Sequence, residues 1–324
     1  MRSRGRALGV VAAAGFSVTG WAAGAGAAGF ASAKFGGEHG NPTESNATAL
    51  YYNPAGIAFS EGTHIYGDLS VAIRHVTWTH VQSKNDVAEP PGAQGANYGK
   101  GTLTNVFAGP AFGVTTKLGD LALGVGLFVP FGGRAKWGTN DKFASGTAYP
   151  LAVDGVQRWH SIEGSLTFLY LTAGAAYKLG PLSIGVSGNL IFSSIKSLQA
   201  KTLATGNNDV DQEVRSGLDV TGRHASFALG LMWEAIEKKL WIGASYQAAP
   251  GLGAMKMKGT LTNTGAAGVA VDRVDFHQEL PDIVRFGARF RPMPDLELRL
   301  FGDFTRWSRM VTQCAALEDR PCDV

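Results

Sequence analysis

Cysteine is scarce in this sequence, which contains only Cys314 and Cys322, both near the C-terminal end. Neither lies close to a histidine in the sequence, so the pair lacks the set of ligands that a zinc site uses. Two nearby cysteines in an exported chain can instead close a small loop. We therefore expect a structural disulfide or two free thiols here, and neither a metal site nor a cofactor.

Signatures of catalysis are also lacking. The seven histidines are scattered without H-E-x-x-H spacing, and no G-x-S-x-G turn offers a serine nucleophile. His160 and Ser161 are adjacent, but neighbouring residues of a strand point to opposite faces. The sequence therefore predicts no catalytic residues, and we expect that the protein is not an enzyme.

Long apolar runs are missing after residue 27, so the sequence predicts no transmembrane helix there. The N-terminus itself has Arg2, Arg4 and Arg6, then an apolar stretch to Trp21 and a run of small residues. This order is typical of a secretory signal peptide with cleavage after residue 27. We predict a signal peptide over residues 1–27, with a retained membrane anchor as the alternative.

An excess of either charge is lacking as well. The 29 Lys and Arg residues face 26 Asp and Glu residues, and removal of three N-terminal arginines leaves 26 against 26. A mature chain near neutrality gives no argument for a nucleic-acid partner.

Helical periodicity is hard to find, and the chain alternates instead with a period of two, which is typical of strands. In "LSIGVSGNLIF" Leu182, Ile184 and Val186 fall on one face, with Ser183 and Ser187 on the other. The segments "LWIGASYQA", "IVRFGARFRP" and "LELRLFGDF" repeat the pattern. We predict about nine strands, near residues 64–82, 105–118, 121–130, 162–179, 181–199, 223–236, 239–258, 276–291 and 295–309.

Short and long connectors alternate along the chain, which is typical of an up-and-down transmembrane β-barrel. Tight turns lie at residues 117–120, 179–181 and 237–239, and polar connectors at 83–104, 132–161, 201–222 and 259–275. A secreted β-sandwich is the alternative, but these strands are long for one, and their polar faces are rich in Gly, Ser and Asn. Aromatic residues near strand ends fit membrane-interface girdles, namely Trp78, Tyr177, Trp233, Trp241 and Trp307.

The strand count is odd, whereas single-chain bacterial barrels are even-stranded. The sequence also finishes on "CAALEDRPCDV", which resembles a loop more than an amphipathic strand. We therefore expect that several C-terminal strands are missing from this sequence.

Four stretches carry a resemblance to a known family. They are "AGFASAKFGGEHGNPTESNATALYYNPAGIA" (28–58), "GLFVPFGGRAKW" (126–137), "TFLYLTAGAAYKLGPLSIGVSGNLIFSSIK" (167–196) and "ELPDIVRFGARFRPMPDLELRLFGDFTRWSRM" (279–310). In this order the chain resembles the FadL-type outer-membrane transporters of long-chain fatty acids and aromatic hydrocarbons. The resemblance implies an all-β barrel of fourteen strands, of which about nine are present, with a hatch over residues 28–63 inside a barrel that begins at residue 64 and continues to residue 324.

The turn Asn53-Pro54-Ala55 is the first candidate site. Proline fixes the backbone and the asparagine side chain can bond locally, as a rigid plug in a narrow space requires. The alternative is that the turn only orients the first strand. The resemblance also implies that Phe30 responds to ligand near an opening in the wall, although a disordered terminus is the default.

A lateral gap in the third strand is the second candidate. Gly124, Gly126 and Pro130 interrupt "LALGVGLFVPFG", and glycine or proline within a strand marks a bulge or a missing ladder bond. The resemblance implies that ligand leaves sideways through such a gap into the membrane.

The third candidate is a partner for a fatty-acid carboxylate. Arg285 and Arg289 project to the presumed inner face together with Arg291 and Arg299, and arginine suits a carboxylate. Glu297 and Asp303 lie nearby, so the alternative is an internal network of ion pairs.

These expectations describe a monomer in the outer membrane of a Gram-negative bacterium, surrounded by outer-membrane lipid. It would passively take up hydrophobic small molecules, and long-chain fatty acids are the expected ligand. A porin-like channel for hydrophilic solutes and a surface adhesin remain as alternatives.

Overall fold

The computed structural model describes residues 41–84, 87–145, 148–202, 208–266, 268–311 and 313–322. These ranges contain one short helix, α1 (Ala49–Tyr52), and several 3₁₀ turns. They also contain twelve strands: β1 (Thr63–His80), β2 (Gly99–Leu118), β3 (Leu121–Lys136), β4 (Glu163–Leu179), β5 (Leu182–Thr202), β6 (Glu213–Ile236), β7 (Leu240–Gln247), β8 (Met255–Gly265), β9 (Gly268–Gln278), β10 (Ile283–Met293), β11 (Leu296–Thr305) and β12 (Gln313–Leu317).

The strands form one antiparallel sheet in the order β1-β2-β3-β4-β5-β6-β7-β10-β11, which curls into a half-barrel. β8 pairs with residues 215–221 of β6 and with β9, and β9 pairs in turn with β12. Within the described ranges β1 and β11 each have one strand neighbour. This architecture confirms the expected all-β antiparallel fold.

The two faces of the sheet differ as the alternation predicted. On β5, Ile184 and Val186 are exposed on the outer face, whereas Ser183 and Ser187 are buried on the inner face. The same division continues on β6 and β7, where Leu231 and Ile242 are exposed and Ser226 and Ser245 are buried, because opposite residues of antiparallel neighbours share a face. An apolar outer face and a polar, glycine-rich inner face are the arrangement of a membrane barrel. No helix in the described ranges has the length and apolar character to cross a membrane.

Two predicted strands are wrong because each is interrupted. The strand over 239–258 divides into β7 and β8 around Pro250, where Gly251, Leu252 and Gly253 have positive φ angles of 65°, 57° and 118°. The strand over 276–291 divides into β9 and β10 at residues 279–282, which include Pro281. Proline cannot donate to a ladder, and left-handed backbone cannot continue one.

Two predicted loops are also wrong. Most of the connector over 259–275 belongs to the β8–β9 hairpin, and the loop-like tail contains β12, which pairs with β9. Cys314 at the start of β12 forms a disulfide with Cys322. The cysteines are therefore structural in this fold, one of the two uses that the sequence left open.

The long connectors pack together at one end of the half-barrel. Arg158 is fully buried there and donates to both carboxylate oxygens of Glu213, at 2.7 and 2.8 Å. It also donates to Asn97 Oδ1 at 3.0 Å and to the carbonyl of Ala96. One arginine thus joins two long connectors to each other and to the start of β6.

Candidate functional site

The N-terminal segment, residues 41–62, lies against the inner face of the half-barrel, and Asn53 fixes it there. The Asn53 side chain accepts from the Ala55 N–H at 3.2 Å, which is the local bond that the sequence predicted. Its amide nitrogen donates to the carbonyl of Pro42 at 2.6 Å and to that of Leu231 on β6 at 2.9 Å. Asn53 is fully buried, and its one side chain both closes the turn and bonds the turn to the wall.

A row of glycines on the inner face makes room for this segment. A Cβ at Gly230 would lie 2.0 Å from Asn53 Oδ1, and one at Gly185 would lie 2.3 Å from the Ala55 nitrogen. Gly124 leaves space in the same way for Leu50. The complete row takes one glycine from each of six neighbouring strands: Gly113, Gly124, Gly174, Gly185, Gly230 and Gly243. The glycines of this row are thus explained by close approach of the N-terminal segment, through its backbone or through its side chains.

Serines between these glycines bond the carbonyl groups of the segment. Ser187 donates to the carbonyl of Leu50 and Ser183 to that of Ala55, each at 2.9 Å, and Ser245 donates to that of Tyr52. Such donors satisfy backbone groups that a four-residue helix cannot satisfy internally.

Arg285 lies under the segment and is almost fully buried. Its guanidinium is 4.9 Å from the ring centre of Tyr51 and 5.4 Å from that of Tyr52, and it approaches the Tyr51 carbonyl at 3.5 Å. Burial raises the pKa of both tyrosines, so both remain neutral. In the described ranges no carboxylate lies within ion-pair distance of Arg285. Its contacts are cation–π contacts, which strengthen when water is excluded.

Arg289 is the second predicted carboxylate partner. Its guanidinium lies 4.3 Å from the ring centre of Trp241, and its Nε finds no acceptor among the residues described. Trp241 is buried on the inner face, so its prediction as an outer girdle residue is wrong, because Arg289 and the inner wall enclose it. The neighbouring arginines do form ion pairs: Arg291 and Arg299 with Glu297, and Arg299 with Glu44 at 3.0 Å.

The third strand is kinked where the sequence placed Pro130. Val129 and Pro130 stand opposite the single residue Leu169, between the pairs Phe128↔Tyr170 and Phe131↔Phe168. Two residues opposite one is a β-bulge, and it bends the strand. Gly126 lies beside the bulge and leaves room for the Phe128 ring, which packs 6.1 Å from the ring of Tyr51.

On its other side β3 separates from β2. Their ladder ends at the pair Phe112↔Leu127, and pairing returns only at the isolated bridge Leu103↔Trp137. Between these points the strands share no ladder. We call this interval the β2–β3 opening, and define it by residues 104–111 of β2 and 128–136 of β3. Phe107 projects across it, since a Cβ at Gly132 would lie 3.1 Å from the Phe107 ring.

Polar side chains close the β2–β3 opening at the end nearest the bridge Leu103↔Trp137. Arg74 donates to the carbonyl of Arg134 at 2.7 Å and to Asn105 Oδ1 at 3.2 Å, and Asn105 also donates to the Arg134 carbonyl. Next to them an inner cavity of about 600 Å³ has a mixed lining, with apolar residues such as Leu166 and Phe276 and polar ones such as Lys201 and Gln278. Cavities of this size hold small molecules in many proteins, and a few polar groups fix the orientation of the ligand.

Sequence reasoning did not identify Phe107, Asn105 or the serine donors. The pattern "NVFAGPAFG" on β2 held the only available signal, a Gly-Pro pair within a strand. Phe30 and the predicted signal peptide lie outside the described residues. In the ranges described, no group of three His, Cys, Asp or Glu residues is placed to hold a metal ion.

Comparison with known proteins gives a family and several solved structures. A sequence model described as "Outer membrane protein transport protein (OMPP1/FadL/TodX)" matches residues 7–316. No curated protein matches the chain significantly.

Three solved structures with 15–16% identity share the fold. They are a Pseudomonas aeruginosa FadL homologue (TM-score 0.62, 15% identity, covering 86% of this chain and 68% of that one), the Ralstonia pickettii toluene transporter TbuX (0.62, 16%, 86% and 72%) and the P. putida toluene transporter TodX (0.63, 15%, 86% and 71%).

Proposed function

The chain belongs to the outer-membrane transport family that includes FadL and TodX, and from this premise we propose that it passes long-chain fatty acids across the outer membrane by passive diffusion. The N-terminal segment acts as the hatch, and the β2–β3 opening acts as the lateral exit. Export by the signal peptide over residues 1–27 is part of the same proposal.

The observation that carries this proposal is the β2–β3 opening itself. A strand edge facing lipid leaves backbone groups unpaired, which is costly in hydrocarbon and needs compensation. Here the proline bulge bends β3, the Phe107 ring crosses the gap, and the Asn105 and Arg74 side chains bond the Arg134 carbonyl. The edge is therefore covered although the two strands share no backbone ladder in this interval. An apolar ligand can pass such a cover by moving one aromatic ring.

The hatch role rests on how the N-terminal segment is held. Its contacts with the wall are single hydrogen bonds, small-residue contacts and cation–π contacts, distributed over several strands. Each is individually weak, so modest movements can release the segment locally. Tyr51 connects the segment to the bulge through Phe128, so that movement at the opening reaches the hatch.

A fatty acid also requires a partner for its carboxylate. Arg289 is the better candidate, because its Nε has no acceptor among the residues described, whereas Arg285 is occupied by Tyr51 and Tyr52. We expect Arg289→Met to weaken fatty-acid binding more than binding of an alkane of equal length. An equal loss for both ligands would assign Arg289 a structural role.

Monoaromatic hydrocarbons are the second candidate ligand. The solved relatives named as toluene transporters support it, as do the rings of Tyr51, Phe128, Phe131 and Tyr170 beside the bulge. Toluene carries no charge, so its uptake would not depend on Arg289.

The deciding experiment measures uptake of a labelled long-chain fatty acid by cells that lack their own transporter and express this protein. Saturable uptake that disappears in a deletion of Asn53-Pro54-Ala55, with the barrel still in the outer membrane, supports the proposal. Toluene uptake without fatty-acid uptake would favour the second candidate. Sugar permeation in liposomes would favour a porin, and loss of cell adhesion on loop deletion would favour an adhesin.

A further inference from the structure

We propose that the outer face of the half-barrel holds the phosphorylated headgroup of an outer-leaflet lipid. The site is a groove of about 750 Å³ that crosses β4, β5, β6 and β8. The residues that the argument uses are Leu169, Phe192, Thr221, Arg223, Lys256 and Lys258. The site is separate from the hatch and the β2–β3 opening, and it depends only on the outer-membrane location of the family.

The charge of the groove favours an anion. Arg223, Lys256 and Lys258 line it, and no carboxylate does so within the described ranges. Lys256 pairs with the buried Asp275 at 2.8 Å and Lys258 pairs with Glu318 at 3.1 Å, so carboxylates beside the groove balance two of the three positive charges. The Lys256 and Lys258 side chains are still 44% and 58% exposed. The net positive charge of the groove therefore comes from Arg223.

Arg223 is the least neutralised of the three. Its guanidinium lies 5.7 Å from the ring centre of Phe192, and no described carboxylate is within ion-pair distance. A guanidinium held over a ring keeps its hydrogen-bond donors directed outward, in the fork that suits phosphate oxygens. The hydroxyl of Thr221 adds a further donor at the same level, since it stands opposite Lys258 in the ladder.

The position of the groove identifies its occupant as a lipid. Leu190 and Phe227 are exposed on the outer face, and the apolar band on β5 and β6 ends at the ladder pair Phe192↔Arg223. The groove lies on the side of the long connectors, which face outward in bacterial barrels. Leu169 and Phe192 can therefore contact acyl chains while the cations on the side of the long connectors reach phosphate. Basic sites for lipid headgroups have this arrangement.

The test measures lipid binding to the purified protein by native mass spectrometry. The probes are lipid A with both phosphates and the same lipid without phosphate. We expect Arg223→Gln to weaken binding of the phosphorylated lipid about tenfold. Arg223→Lys should recover part of that loss, because the charge remains. The double variant Lys238→Gln/Lys239→Gln removes two charges at the opposite end of the barrel and should bind as the original protein does.

Three results would overturn the inference. They are equal binding of the two lipids, an equal loss in the Lys238/Lys239 control, and displacement of the lipid by inorganic phosphate at matched concentration. Heat-modified mobility on a gel confirms that each variant is folded. Fatty-acid uptake should be unchanged in Arg223→Gln, so failure of the lipid site is distinguishable from failure of the transport proposal.

Discussion

Gly230 offers a direct perturbation of the hatch. Substitution by alanine adds one methyl group on the inner face of β6, and its carbon would lie 2.0 Å from Asn53 Oδ1 and 2.9 Å from the Ala55 nitrogen. Both atoms belong to the turn that holds the N-terminal segment, so the turn must leave its position on the wall.

The size of the effect follows from the bonds that Asn53 loses. Its amide donates to the carbonyls of Pro42 and Leu231, and each such bond contributes about 1 kcal/mol. Forcing a methyl group into a packed site costs about 1–3 kcal/mol more. The lower end of this sum, about 3 kcal/mol, already shifts the balance between docked and released hatch by roughly a hundredfold.

Hydrogen exchange of the folded protein measures this shift. The amides of Asn53 and Gly56 are bonded to Ala49 and Asn53 carbonyls at 2.9 Å each, so they exchange when the segment opens. In Gly230→Ala their exchange should accelerate by roughly a hundredfold. Gly188→Ala is the matched control, because a Cβ at Gly188 meets no atom within 4 Å.

Unchanged exchange in Gly230→Ala, with the barrel folded by heat-modified mobility, would show that the added methyl group does not displace the segment. It would mean that the wall yields to the methyl group and that the glycine row does not determine where the segment sits. Equal acceleration in Gly188→Ala would also contradict the prediction, since that residue does not face the segment.

Three further perturbations address the loop cover, the base of β1 and the opening. Arg158→Met leaves Glu213 buried without its partner, which costs about 3–5 kcal/mol, so limited proteolysis should cleave the long connectors faster. A hydrogen bond from Lys117 holds the pKa of Glu61 below its ordinary 4.5. That stabilisation is complete above about pH 4.5 and is lost as pH falls through the lower folded-state value, so Glu61→Gln should flatten the acid side of a plot of Tm against pH. Asn105→Leu removes a donor across the β2–β3 opening and should raise the initial rate of uptake; an unchanged rate would exclude it as a latch.

Local chemistry accounts for what the sequence predicted well. The alternation on β5 and β10 is a property of each strand alone, and it correctly assigned Ser183 and Arg285 to the inner face. The turn at Asn53 follows from proline and asparagine chemistry, and the predicted local bond to Ala55 is present. Pro130 likewise marked a bulge that the structure contains.

Partners that are distant in the sequence account for what it missed. The second bond of Asn53 reaches Leu231, 178 residues further along the chain, and depends on the register of β6. The place of Trp241 near a strand end predicts a girdle residue, whereas its alternation with Ile242 predicts the inner face, where the structure has it. Alternation alone does not reveal the break at Pro250, because it resumes in β8.

The most direct test of the lateral exit is a cross-link across the β2–β3 opening. Phe107→Cys and Gly132→Cys place two thiols on its opposite edges, and a short bismaleimide can join them while Cys314 and Cys322 remain oxidised. A control pair at Ala173 and Gly188 joins two strands that are already paired. The reagent should abolish fatty-acid uptake in the first variant and spare it in the control. Full uptake through a cross-linked opening would mean that ligand does not leave between β2 and β3.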